Sequence, residues 1–298
     1  MARLSLPKTL EVGSFVGTSP DDLFFRLFEK VRGEADTSRT FVCHWDGATL
    51  QLLRQFEREL CDLALDAEGT LHALGKHGEY DTHRDGQWAA RHDGFQEIAL
   101  LLRLLPGGVY ALGVGAVHRF HEGAWTKIEL TPDDAMVFDL LQVGDEMVVC
   151  GSDGLLGRID ASQRFHALAS GTPVNLNCLA LHSERVLVCG GRSTLLELRG
   201  DTVVPLTQPG DDVDFYDLCP VGEALFIATD AGVEKRVGDH REVVHDEYTT
   251  RLSAFGRRLV RQGYDDVSIL NANKWIDFPV SFEFEREPAT KKTAQKKR

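Results

Sequence analysis

The sequence predicts an all-β protein built as a ring of repeated four-stranded units, and three observations carry that prediction. The first is a repeat. The stretch from Gly107 to Trp125, GGVYALGVGAVHRFHEGAW, reads as strand, glycine turn, strand, turn and Trp. The same pattern recurs from Gly69 to Trp88, Asp145 to Phe165, Ser183 to Val203, Gly222 to Arg241 and Gly256 to Trp275. The last residues of the six copies lie 37, 40, 38, 38 and 34 apart. Self-similarity at such a period marks a repeat architecture. The second observation is that each unit opens with a short, nearly continuous apolar run: LCDLAL (60–65), IALLLRLL (98–105), VFDLLQV (137–143), LNCLAL (176–181), FYDLCPV (215–221) and RLSAF (251–255). A strand buried on both faces needs that composition. The third is a gradient within the unit, from apolar first and second strands to mixed third and fourth strands such as AVHRFHE and AWTKIEL. A first strand that lines a hub and a last strand that meets water produce that gradient. The architecture is therefore a β-propeller. Counting a divergent first unit gives seven four-stranded blades; six blades plus an N-terminal cap is the alternative.

Taken in order, residues 1–38 are the least regular: Asp21 to Phe25 leads into RLFEKV (26–31), which is open between a strand and a short helix. Thr40 to Trp45 and Ala48 to Phe56 match the last two strands of a unit. Ring closure should involve the ends, because an unsealed blade leaves an exposed edge. Either Leu10 to Val16 (LEVGSFV) or the segment ending at Ser281 to Phe284 is expected to complete a terminal blade by pairing with the other end. The propeller domain is thus expected over 1–287. Pro288 to Arg298, PATKKTAQKKR, has five basic residues and no acidic one. With nothing to bury, it should be a disordered basic tail.

The bulk numbers narrow the partners. The 298 residues are 43% apolar with 28 Gly and a formal charge of −13. That charge argues against a nucleic-acid-binding body, the basic tail excepted, because phosphates need a basic face. The start lacks an apolar leader, no run reaches membrane-span length, and a monomer without a cofactor is expected. None of the six Cys sits in a CxxC pair. Cys150 and Cys189 occupy the same place in successive units (VVCG, LVCG) and read as small core residues, which points to the cytoplasm.

The pattern G-x-[VL]-[YHF]-x-[LG]…G…G-x-W resembles the repeats of Asp-box and photosystem-assembly-factor-like propellers over roughly residues 60–280. The resemblance is architectural. The Asp-box spacing Ser-x-Asp-x-Gly-x-Thr-Trp is not met, Asp85-Gly86-Gln87-Trp88 being the nearest approach, so it implies a fold and no active site.

Three constellations stand as candidates. His72, His77, His83 and His92 fall in one unit without ligand spacing, and His118 and His121 point to opposite faces of one strand. Surface or half-buried imidazoles are expected. Asp62, Asp139 and Asp217 recur at one place in alternate inner strands. They read either as a cation site in the channel or as carboxylates bonded to backbone N–H groups at strand starts. Finally, the connections between blades are acidic, with Asp93, Glu97, Asp133, Asp134, Asp211, Asp212, Asp214, Asp246 and Glu247. In a propeller they share a face with the turns between second and third strands. Phe95, Phe215 and Tyr248 lie in or next to these connections as candidate anchors.

The expected function is a non-catalytic binding propeller that docks a basic protein through an acidic face, in one concrete version an immunity-type inhibitor of a bacterial toxin. A metal-dependent, lactonase-like hydrolase resting on Asp62, Asp139 and Asp217 is one alternative. An assembly or scaffold factor, resting on the resemblance, is the other.

Overall fold

The structure is a computed structural model that describes residues 4–5, 10–29, 39–92, 94–207, 212–264, 266–271, 274–278 and 282–283. The tail at 288–298 and the residues Asp93 and Asp211 lie outside the described residues. Seven four-stranded antiparallel sheets, each with its strands in chain order, form the blades of a propeller. Their inner strands are Leu10–Ser19, Leu60–Leu65, Ala99–Leu105, Val137–Val143, Leu176–His182, Phe215–Val221 and Arg251–Phe255. The open choice at 26–31 resolves, over its described residues, to a strand: Arg26 to Glu29 belong to Asp22–Glu29, the second strand of blade 1.

The gradient in the sequence is a gradient of burial. The second strand of blade 2, Leu71–Gly75, is buried throughout, whereas in Ala124–Glu129, the outer strand of blade 3, only Ile128 is. The core is a series of clusters between neighbouring blades, such as Val148, Cys150 and Leu156 of blade 4 against Leu176, Leu179 and Val188 of blade 5. The recurrent terminal aromatic has the same purpose. Trp88 packs edge-on against Phe56 of the preceding blade at 5.2 Å, and Trp125 against Phe95 at 5.5 Å. Trp275 donates its indole N–H to the Val244 carbonyl of blade 6 at 2.8 Å. Each ring covers apolar surface the blade before it would otherwise expose.

Closure differs from the expectation. Leu10–Ser19 pairs with Asp22–Glu29 inside its own blade, so among the described residues no terminal blade is shared between the chain ends. Blades 1 and 7 are joined by packing instead. Val12, Phe15, Phe25 and Trp45 share one core with Val260, Val267 and Phe278. The Gln262 amide donates to the Val12 carbonyl at 2.9 Å. The C-terminal segment does meet the N-terminal one, as a parallel pairing of Leu4–Ser5 with Phe282–Glu283 that stands apart from the blades. A long apolar first strand with its own hairpin partner leaves no vacancy for strand exchange.

A detail of the inner strands positions everything functional. In blades 1 to 6 a β-bulge falls at the same place, between Val12/Ser14, Leu60/Asp62, Ala99/Leu101, Val137/Asp139, Leu176/Cys178 and Phe215/Asp217. The bulge re-aims the side chain that follows it. In blades 2, 4 and 6 that side chain is an aspartate.

Candidate functional sites: a hub of paired charge and an acidic loop face

The three hub aspartates clasp neighbouring blades. One carboxylate oxygen of each accepts a backbone N–H from the next inner strand: Asp62 from Leu102 at 3.1 Å, Asp139 from Leu179 at 2.8 Å and Asp217 from Leu252 at 2.8 Å. The other oxygen meets a different partner. Asp139 accepts from Arg103 Nε at 2.7 Å, and Asp62 lies 3.4 Å from Arg251, while Arg103 stands 3.7 Å from the Asp62 oxygen that already accepts Leu102. Asp217 accepts from the Cys178 thiol at 3.1 Å and from its neighbour's N–H, Leu218, at 2.9 Å. Arg26 of blade 1 completes the set by donating to the Leu60 carbonyl at 2.7 Å.

The electrostatics follow from these partners. Burial alone would lower the Arg103 pKa, but Asp139 and Asp62 hold it above its ordinary value. Burial dominates at Arg26 and lowers its pKa. Among the described residues no guanidinium is bonded to Asp217, and burial pushes its carboxyl up despite the Leu252 N–H, the Cys178 thiol and the more distant Arg251. Of the two readings of the aspartates, the geometry is that of carboxylates bonded to backbone N–H groups. Among the described residues no group of three or more His, Cys, Asp or Glu is placed to hold a metal ion. Burial pushes the Cys61 and Cys219 thiols up to about 12.

Two histidines depart from the expected surface positions. His72 is buried, bonded to the Tyr80 hydroxyl and 3.1 Å from Asp66. His118 is buried, stacked on Phe95 at 3.8 Å, and burial lowers its pKa.

Backbone hydrogen bonds show that the inter-blade connections and the turns between second and third strands share one face. Val114 donates to Ile98, Gly115 to Ala135, Ser152 to Met136, Gly191 to Asn175, Asp230 to Asp214 and Thr249 to Thr229. On this face Asp133, Asp134, Asp153, Asp212, Asp230 and Asp246 are exposed. Among the described residues none of the six has an ion-pair partner, although Asp230 accepts the Asp214 N–H at 3.3 Å. Other acidic residues of the face are engaged. Glu97 pairs with Lys127 at 3.0 Å, Glu247 with Arg261 at 2.7 Å, and Asp214 accepts the Arg192 N–H at 2.9 Å.

The candidate anchors separate. Tyr248 is 38% exposed and packs edge-on against Tyr216 at 5.6 Å. Phe95 is half-buried between His118 and Trp125. Phe215 is corrected: it is fully buried in the core of blades 5 and 6 and presents no surface to a partner. It opens an inner strand, where both faces are covered. The arginines of the hub went unread in the sequence, although Arg103 in LLLRLL and Arg251 in RLSAF are lone charges in apolar strands and so demand partners. The exposed Ile98 and Met136 were also passed over, because each continues an apolar run that reads as core.

No family model and no curated protein matches the chain. Solved propellers match its shape. The extracellular domain of a one-component system from B. thetaiotaomicron superposes with a TM-score of 0.69 at 12% identity, over 90% of this chain and 39% of that one. The chain therefore spans well under half of that protein. YCF48 from Cyanidioschyzon merolae gives 0.65 at 12% identity, over 90% and 97% of the two chains. A YCF48 structure bound to D1 peptide gives 0.63 at 14%, over 88% and 91%. Sqt1 of Saccharomyces cerevisiae gives 0.62 at 13%, over 93% and 88%. At these identities the likeness is one of fold.

Proposed function

We propose that the chain is a non-catalytic binding propeller that docks a basic protein surface on its loop face. The observation that carries this reading is the set of exposed carboxylates, Asp133, Asp134, Asp153, Asp212 and Asp246, without ion-pair partners among the described residues. Loop carboxylates held in solvent attract a basic partner over distance and set its orientation. That a YCF48 propeller is solved with a peptide bound supports protein recognition as a use of this ring shape. A basic toxin is one concrete partner, since nuclease-like toxins need positive clefts for their substrates, and a cytoplasmic site of action fits six free thiols. An assembly role is the second reading and rests on the same YCF48 likeness. Affinity capture from the native cell, followed by binding kinetics of the purified partner, tests the proposal. Charge reversal at Asp133, Asp134 and Asp212 should slow association and flatten its salt dependence. A partner whose association rate ignores the reversal would remove the loop face from the account.

A further inference from the structure

We infer that the loop-face mouth of the channel at blades 3 and 4 seats an apolar side chain of the partner, flanked in the partner by lysines or arginines. The inference rests on the loop-face reading and narrows it to one place and one kind of segment. Ile98 and Met136 immediately precede the inner strands of blades 3 and 4 and are 42% and 39% exposed. At the same position blades 2, 5, 6 and 7 carry Glu59, Asn175, Asp214 and Thr250, all polar. Val114 ties the two apolar residues together: its N–H donates to the Ile98 carbonyl at 3.2 Å, and it forms a β-bridge with Met136. Leu100 and Phe138, the extra residues of the two bulges, follow along the same strands and are half-buried. Single exposed apolar residues are ordinary, but a contiguous group in a polar surround marks an interaction site.

The rim supplies the charge. Asp133 and Asp134 are exposed in the connection that leads into Met136. Asp153 joins them, because the adjacent Ser152 N–H donates to the Met136 carbonyl at 2.9 Å. Among the described residues none of these three has an ion-pair partner, whereas Glu97, next to Ile98, is held by Lys127. An apolar centre with exposed carboxylates at its edge is complementary to an apolar anchor between cations. A second copy of this chain would bring the same negative rim and be repelled, so the occupant is a different protein.

The probe is a fluorescein-labelled peptide, Gly-Lys-Lys-Leu-Trp-Lys-Lys-Gly, with a control in which Leu-Trp becomes Ser-Ser, measured by anisotropy at fixed salt. The wild-type protein should bind the first peptide, and either the Ser-Ser control or the pair Ile98→Ser and Met136→Ser should weaken binding roughly tenfold. Unchanged circular dichroism and melting of the variant would show that its fold is intact. No binding to the wild-type protein, or equal binding of both peptides, overturns the inference. If Asp133→Lys with Asp134→Lys weakens binding while the Ile98/Met136 pair does not, the apolar seat is wrong and the loop-face reading survives. If neither pair has an effect on a peptide that binds, both are wrong.

Discussion

Two sets of aspartates, one at the hub and one on the loops, have opposite fates. At the hub, Asp62, Asp139 and Asp217 spend their oxygens on backbone N–H groups, guanidinium groups and a thiol. On the loop face, Asp133, Asp134 and Asp212 stand in solvent, with no ion-pair partner among the described residues. A carboxylate whose hydrogen-bond positions are filled holds the ring together; an exposed one without an ion-pair partner is available to something else. The contrast teaches that a recurring acidic position is not in itself a site: what matters is whether its lone pairs are already committed.

The largest effect should come from breaking the hub. Asp139→Ala removes the acceptor for Leu179 and the nearer of the two carboxylates at Arg103 together. A loss of about 3 kcal/mol, the scale for stripping one partner from a buried ion pair, is expected in denaturant unfolding. A loss under about 0.5 kcal/mol, the scale of a surface substitution, would mean the hub carboxylates are as dispensable as those of the loops.

A subtler effect distinguishes the three hub residues. Burial raises the Asp217 carboxyl above its ordinary value. A group whose folded pKa is raised contributes stability that is full below its unfolded pKa and is lost as pH rises through the folded one. Asp217→Asn has no proton to lose there. Melting curves should therefore show the wild type gaining on Asp217→Asn as pH falls from neutral toward 4.5. A difference that does not vary with pH would mean that the Asp217 carboxyl is no harder to ionise in the fold than out of it.

The smallest effect belongs to the loops. Asp133→Lys with Asp134→Lys should change stability by no more than about 0.5 kcal/mol, because solvated carboxylates without partners contribute little. A drop of several degrees in melting temperature would show that these residues support the connection 131–136 rather than await a partner.

The propeller was legible in the sequence because its strands repeat a burial pattern, and the inner strands of blades 2 to 7 each stand within one residue of their apolar runs. Closure was not legible. Leu10 to Val16 is an apolar run with no unit recognised around it, and only the pairing with Asp22–Glu29 shows it to be an ordinary first strand. The hub was half legible: alternation of Asp62, Asp139 and Asp217 is visible in the sequence, but the bonds that tie them to other blades run to residues 35 or more positions away. Ile98 and Met136 escaped because exposure at the mouth of a ring depends on where neighbouring loops stop, which no local pattern encodes.

The most direct test of the central claim is the association rate of the captured partner, measured across a salt series for two reversal variants. One carries Asp133→Lys, Asp134→Lys and Asp212→Lys on the loop face. The other carries Glu223→Lys and Asp239→Lys in hairpin turns at the opposite ends of the strands. The account predicts slower association and a flatter salt dependence for the first, and wild-type behaviour for the second. Equal rates for the first variant and the wild type, or a slowing confined to the second, would contradict it.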